Sequence, residues 1–396
     1  MIQISPETQL FIREHSSDDV RALALQAKKY PDINMPTAIT QIAGRQVAAE
    51  KIPSWREIEE IWYPKHLSLE QCSSEITARY KARLFQGDSL IDLTGGFGID
   101  CSFLATGFKT ATYVERQEEL CEIAAHNFPI LNLNHINVRN EDGVAYLQSM
   151  SPVDCIFLDP ARRNEHGGKT VAISDCEPNV AELEALLLSK ANRVMIKLSP
   201  MLDLSLALKE LKHTQEIHIL SVNNECKELL ILLGQTSPAE IAIHCVNLLT
   251  KGTQEEQHLV FTREQEQRSQ CTYTDSLGNY LYEPNASLLK AGAFRSIAAA
   301  YPVRKLHPNS HLYTSDSFIE NFPGRIFRIV NQCSFNKKEV KENLADLKKA
   351  NVTVRNFPTT VAELRKRLHL TEGGDTYLFA STLNNGQKVL IRCEKV

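Results

Sequence analysis

Between residues 88 and 234, short apolar runs alternate with stretches of helical spacing, and this alternation constrains the chain more than any other feature. Ser89–Leu93, Thr110–Val114, His135–Val138, Val153–Leu158 and Arg193–Leu198 read as strands. GIDCSFLATG, EELCEIAAHNF, GVAYLQSM and NVAELEALLLSK read as the helices between them. VDCIFL is almost wholly apolar, as a strand covered on both faces should be. Two more runs, EIHILSV and ELLILLG, flank Asn223 and Asn224 closely enough to predict an antiparallel hairpin closing a mostly parallel sheet. The expectation is an α/β, doubly wound, Rossmann-like domain of seven strands.

The first predicted strand runs into Asp92-Leu93-Thr94-Gly95-Gly96-Phe97-Gly98. Glycines let backbone turn sharply and approach a ligand with no Cβ in the way. Glu115 ends the second strand twenty residues after Gly95, where a carboxylate can take both hydroxyls of a ribose. Asp142 follows the third strand, within reach of an adenine amino group. A dinucleotide site would set a pyrophosphate on the helix N-terminus through G-x-G-x-x-G. Here the turn is G-G-F-G with Asp92 just before it. That carboxylate repels pyrophosphate and suits the ammonium and sulfonium charges of S-adenosylmethionine, which is the predicted cofactor.

The fourth strand ends in Asp159-Pro160-Ala161-Arg162-Arg163, at the crevice where ligands of such sheets lie. Methyl transfer is an in-line displacement catalysed mainly by positioning and fixed electrostatics. For an exocyclic amine acceptor, Asp159 and the Pro160 carbonyl would accept its N–H groups and turn the nitrogen lone pair toward the methyl. Arg162, Arg163 and Lys197 are candidates for a substrate phosphate. Carbon methylation would need a cysteine nucleophile; Cys155 reads as core, and Cys226, in the hairpin, is a remote candidate. No pair among the twelve histidines has convincing metal-ligand spacing, so no metal is expected.

Residues 1–72 read as a helical lobe, with Ser54-Trp55-Arg56-Glu57 and Ser68-Leu69-Glu70-Gln71 as candidate capping boxes. Residues 236–322 are less regular: IAIHCVNLL and HLVFT read as strands, TREQEQRSQ as a surface loop and SLLKAGAFRSIAAAY as a helix, and from FRIV strands and helices alternate again. Net charge is −4. Residues 301–396 carry 16 basic and 9 acidic side chains, hence +7, leaving −11 for the first 300 residues. A globally basic protein is excluded, but a basic tail on an acidic body is not. Lys337, Lys338, Lys341, Lys348, Lys349, Arg365, Lys366 and Arg367 supply the charge, with Arg325 and Arg328 as further candidates for RNA phosphates. Ten scattered cysteines without a CxxC, no apolar run of about 20 residues and no leader pattern predict a cytoplasmic protein without membrane contact. The residues set no oligomeric state.

DLTGGFGID, YVER, AAHNFPI, NED and DPAR, in this order, resemble the class I S-adenosylmethionine-dependent methyltransferases. AAHN followed by INVRNED looks like their trimethylguanosine-synthase branch, which methylates RNA cap guanine-N2. The chain from about residue 40 resembles bacterial methyltransferases with a small ferredoxin-like segment and a C-terminal THUMP-like, RNA-binding domain. The resemblance implies a lobe at 1–72, a methyltransferase domain at 73–265, a ferredoxin-like segment at 266–322 and a THUMP-like domain at 323–396. It implies cofactor contacts from Glu75, Asp92, Thr94, Gly95, Gly96, Gly98, Glu115, Arg116 and Asp142, and Asp159-Pro160 at the methyl. Arg162, Lys197, Lys338, Lys341, Arg365 and Arg367 would contact substrate, an rRNA or tRNA; a DNA or protein acceptor, or an RNA-binding protein retaining only the fold, are the alternatives. One departure stands out. Ala161 and Arg162 replace the second proline and the aromatic of the usual amine-methylating motif, so either the base stacks elsewhere, with Phe97, Phe157 and Tyr80 as candidates, or the acceptor is not a base amine.

Overall fold

The computed structural model describes residues 4–162, 172–252 and 254–396. The chain divides into two compact units, residues 1–215 with 230–237 and residues 216–229 with 238–396.

Strands β1 (Gly87–Asp92), β2 (Phe108–Glu115), β3 (Ile136–Asn140) and β4 (Val153–Leu158) follow the predicted order. Two short strands, β5 (Ala161–Arg162) and β6 (Cys176–Glu177), pair with each other outside the main sheet. Then come β7 (Ala191–Leu198), β8 (Thr214–Val222), β9 (Glu225–Gly234), β10 (Ala242–Leu248) and β11 (Glu256–Phe261). The main sheet has the order β11-β10-β8-β9-β7-β4-β1-β2-β3. The seven expected strands are therefore present, and β10 and β11 extend them to nine. Order reverses between β1 and β4, the topological switch point at which crevices form in such sheets.

In the first unit the β1–β2, β1–β4, β2–β3 and β4–β7 pairs are all parallel, so every carboxyl end lies on one side. Cys155, Ile156, Phe157 and Leu158 are buried, which explains the unbroken apolar run of β4. The hairpin between β8 and β9 is only two residues long. Asn223 and Asn224 have φ of 49° and 69°, the left-handed pair that a type I′ turn demands and asparagine tolerates.

Helices Pro6–Glu14, Val20–Leu25 and Met35–Lys51 form the expected lobe around Phe11, Ile12, Leu23 and Ile42. Neither candidate capping box forms. Pro53 starts the helix ahead of Ser54, whose N–H donates at 2.8 Å to the distant Glu75 carboxylate rather than to Glu57. The helix His66–Gln71 begins before Ser68. A second cluster joins lobe residues Ala48, Ile52, Trp55 and Tyr63 to Phe97 of the glycine turn and Ile123 of the helix Glu118–Ile130. On that helix the Asn127 amide donates to the Trp62 carbonyl and accepts from its N–H, both at 2.9 Å.

The second unit holds a seven-stranded sheet of β12 (Tyr280–Pro284), β13 (Arg304–Lys305), β14 (Tyr313–Ser315), β15 (Gly324–Ser334), β16 (Asn351–Val354), β17 (Thr376–Thr382) and β18 (Lys388–Lys395). Their order is β13-β14-β12-β15-β18-β17-β16. Its core contains Leu281, Phe327, Phe379 and Ile391 on one side, and Leu344, Leu364, Leu378 and Leu390 on the other. The expected surface loop TREQEQRSQ instead contains a helix, Arg263–Arg268, started by a capping box between Thr262 and Gln265. Among the described residues no helix is long and apolar enough to cross a membrane, and no disulfide joins the ten cysteines.

Candidate active site

Four parallel strands deliver the site. Asp92 closes β1, Glu115 closes β2, Asp159 follows β4, and Lys197 is the penultimate residue of β7. The glycine turn between Asp92 and the helix Ile99–Ala105 is fixed by close packing. A Cβ on Gly95 would lie 2.2 Å from the Tyr113 ring, and Gly96 and Gly98 have φ of 54° and 85°. At Gly96 a Cβ would meet only the Thr94 carbonyl, at 3.8 Å, so the space beside this corner of backbone is open.

Asp92 is 1% exposed. Its Oδ1 accepts the Thr94 N–H at 3.0 Å, while its Oδ2 is buried with no hydrogen-bond partner. Burial drives its pKa well above the ordinary carboxylate value; the Thr94 N–H opposes this, and Asp100, Asp159 and Glu115 push further upward. Glu115 is also buried, and accepts the Gly96 and Gln117 N–H groups at 2.9 Å, one on each oxygen. Thr94 joins the two loops: its N–H reaches Asp92, and its Oγ1 accepts the Asp159 N–H at 2.6 Å.

Asp159 is half-buried and ion-paired with Lys197. Burial raises its pKa and the Lys197 ammonium pulls it back, leaving it above the usual value. Behind this pair lies a network that the sequence did not announce. Lys81, fully buried, meets Asp100 Oδ1 at 2.9 Å and donates to Ser73 Oγ at 2.8 Å; Ser73 in turn donates to Asp100 Oδ2 at 2.7 Å. Lys197 stands 3.8 Å from the same Asp100 Oδ2. Burial works to raise the Asp100 pKa, but the ammonium groups of Lys81 and Lys197 outweigh it and hold the carboxyl below its ordinary value. The chain of charges Lys81–Asp100–Lys197–Asp159 thus leads from the interior to the carboxyl end of β4.

Other predicted positions carry structural duties. Glu75 has both oxygens engaged, by the Ser54 N–H and the Arg79 guanidinium, so its place is a tie between helices. Asp142 is exposed, and its Oδ1 caps the helix Gly143–Ser149 through the Val144 and Ala145 N–H groups, both at 3.0 Å. Arg116 pairs with Glu177 at 3.4 Å on the surface. Pro160 is buried beside Asp159. Arg162 is placed by its backbone in β5, whereas Arg163 lies outside the described residues. None of the three stacking substitutes offers a free face: Phe97 packs edge-on against Trp55 at 5.3 Å, and Tyr80 and Phe157 are buried. Cys155 is buried in β4, where desolvation lifts its thiol to about 11 and keeps it from acting as a nucleophile.

In the second unit Lys337, Lys338, Lys341, Lys348, Lys349 and Lys366 are exposed. Arg365 is held by Glu372 through both terminal nitrogens, at 3.0 and 3.1 Å. Arg367 lies 4.0 Å over the Phe335 ring. Arg325 is paired to buried Glu283, and Arg328 to Glu394. The lysines, with Arg328 and Arg367, are the exposed cations here, whereas Arg325 and Arg365 are partly buried.

Residues 280–323 match a family described as a ferredoxin-like domain, and residues 324–395 one described as THUMP domain-like. A candidate methyltransferase from Porphyromonas gingivalis W83 shares 34% identity with a TM-score of 0.87, over 100% of both chains. The chain belongs to the same family as that protein. Smaller likenesses include SMU.1697c of Streptococcus mutans, a candidate methyltransferase in complex with S-adenosylhomocysteine (12% identity, TM-score 0.30, 40% of this chain and 96% of the other). M. capricolum TrmK, also in complex with S-adenosylhomocysteine, is similar at 12% identity and TM-score 0.32, over 41% and 68%. Among curated proteins none matches.

Proposed function

We propose that this chain is an S-adenosylmethionine-dependent methyltransferase that methylates a base amine in structured RNA. The observation that carries the reading is Asp92 Oδ2, a buried carboxylate oxygen without a partner among three further carboxylates. A buried anion in such company is costly unless a cation comes to it. Asp92 would take the amino group of the cofactor, the backbone of Gly95 and Gly96 would lie along it, and Glu115 would take its ribose hydroxyls. When bound, S-adenosylmethionine supplies an electrophilic methyl group on a positively charged sulfur.

The chain's own residues supply the rest. The Lys197 ammonium offsets part of the burial that disfavours an anionic Asp159, and Thr94 fixes the backbone on which Asp159 rides. Asp159 and the Pro160 carbonyl accept the N–H groups of the acceptor amine and so orient its lone pair. The exposed lysines of the THUMP-like segment would hold RNA phosphates, giving binding that weakens steeply with salt. The cytoplasm, where substrate RNA and reduced thiols coexist, is the fitting compartment.

Calorimetric titration with S-adenosylhomocysteine should give one site per chain, lost in Asp92→Ala. Nucleoside mass spectrometry of rRNA and tRNA from a deletion strain should then lack one methylated base. Unchanged cofactor affinity in Asp92→Ala, or an intact set of methylated nucleosides, would overturn the respective half of the reading.

A further inference from the structure

Strands β8, β10 and β11 carry a row of imidazoles with no place in methyl transfer. Glu216 and His218 are two residues apart on β8 and therefore share a face. β10 runs parallel to β8 with His244 directly opposite His218, and Ala242 opposite Glu216, where its methyl leaves room for the carboxylate. β11 runs antiparallel to β10, with His258 opposite Val246 and so diagonal to His244. His218 and His244 stack with centroids 4.3 Å apart, and His244 and His258 at 5.3 Å.

We infer that Glu216, His218 and His244 form a binding site for one divalent transition-metal ion, Zn²⁺ in class. His218 Nε2 lies 3.2 Å from Glu216 Oε2, His244 Nε2 lies 3.9 Å from the same oxygen, and the three donors lie within 4.8 Å of one another. Ligand atoms about 2.0–2.1 Å from a tetrahedral zinc are separated by roughly 3.3 Å, so small side-chain rotations close the set. Two imidazoles and a carboxylate suit a borderline ion, and three protein ligands leave a fourth position for water. The second shell is also present. His244 Nδ1 faces His258 Nε2 at 3.2 Å, and with Nδ1 as the donor of that hydrogen bond His244 Nε2 is left as the ligand. Glu216 and His244 are partly exposed, which gives the ion an entrance. Glu216 and His218 share β8 and only pairing with β10 brings His244 to them, so no histidine pair within one element announces the set, and the sequence expectation of no metal concerned such pairs alone.

Full-length protein stripped with chelator and titrated with Zn²⁺ should bind one equivalent at this site, and with Co²⁺ should give visible bands of nitrogen and oxygen ligation. His244→Ala should weaken binding by about 100-fold or more, and His258→Gln by about 10-fold as a loss of second-shell support. Glu216→Gln, a partly exposed and nearly isosteric change, keeps the test decisive should His244→Ala misfold; it should retain the native circular dichroism and weaken binding by at least about 10-fold. No binding by the wild type, unchanged affinity in folded Glu216→Gln, or cobalt bands of thiolate ligation would overturn the assignment.

Discussion

Asp92→Asn separates the cost of the site from its use. The amide keeps the shape of the side chain and an oxygen to accept the Thr94 N–H, but removes charge from a buried group facing Asp100, Asp159 and Glu115. An ion in such a place costs several kcal/mol, whereas an unpartnered amide N–H costs about 1–3 kcal/mol. The variant without ligand should therefore be more stable by about 1–2 kcal/mol, raising the thermal transition by roughly 2–8 °C. Cofactor binding should weaken by about 10–150-fold, because a hydrogen bond to a charged group contributes about 1.5–3 kcal/mol. The sign with pH follows from the raised pKa. An ionised Asp92 penalises the folded chain, and the penalty appears as pH climbs from the unfolded value, about 3.9, through the higher folded one. The gain in Asp92→Asn should therefore be largest in neutral and alkaline solution and vanish toward pH 4. Scanning calorimetry across that range, with titration of S-adenosylhomocysteine, measures both quantities. A variant less stable at neutral pH than the wild type, or one binding cofactor equally well, would refute the reasoning.

Four other outcomes follow from the geometry. Lys81→Met leaves Asp100 buried without its principal counter-ion and should destabilise the first unit by about 3–5 kcal/mol, read by denaturant unfolding. Thr94→Val strands the Asp159 N–H and should cost about 1–3 kcal/mol while lowering turnover, measured by unfolding and methyl-transfer rates together. Gly95→Ala drives a methyl into the Tyr113 ring and should abolish cofactor affinity or folding, as calorimetry and circular dichroism would show. Charge reversal at Lys338 and Lys341 should flatten the salt dependence of RNA affinity by about two phosphate contacts without touching cofactor affinity.

The sequence made the positions of Asp92, Glu115 and Asp159 legible because parallel strands buried on both faces announce themselves as apolar runs, and the residues that end them fall at the crevice. Its limits have a common origin. Glu75, Arg116 and Asp142 are motif positions whose protein partners, the Ser54 N–H, Glu177 and a helix start, are not written in the motif. The Lys81–Asp100–Lys197 network was hidden for the same reason, its members lying on two helices and a strand with no shared period. Ser54 failed as a cap because Pro53 opens the helix and a distant glutamate takes the Ser54 N–H. Asn127 was visible as a motif letter, but its grip on the Trp62 backbone, which ties lobe to sheet, was not.

The central claim is methyl transfer from S-adenosylmethionine to RNA. Incubating the full chain with methyl-labelled S-adenosylmethionine and, separately, total RNA, DNA and protein tests it most directly. Label is expected on RNA with the wild type and not with Asp159→Asn, with equal cofactor affinity in both. Label on DNA or protein alone, or full transfer by Asp159→Asn, would contradict it.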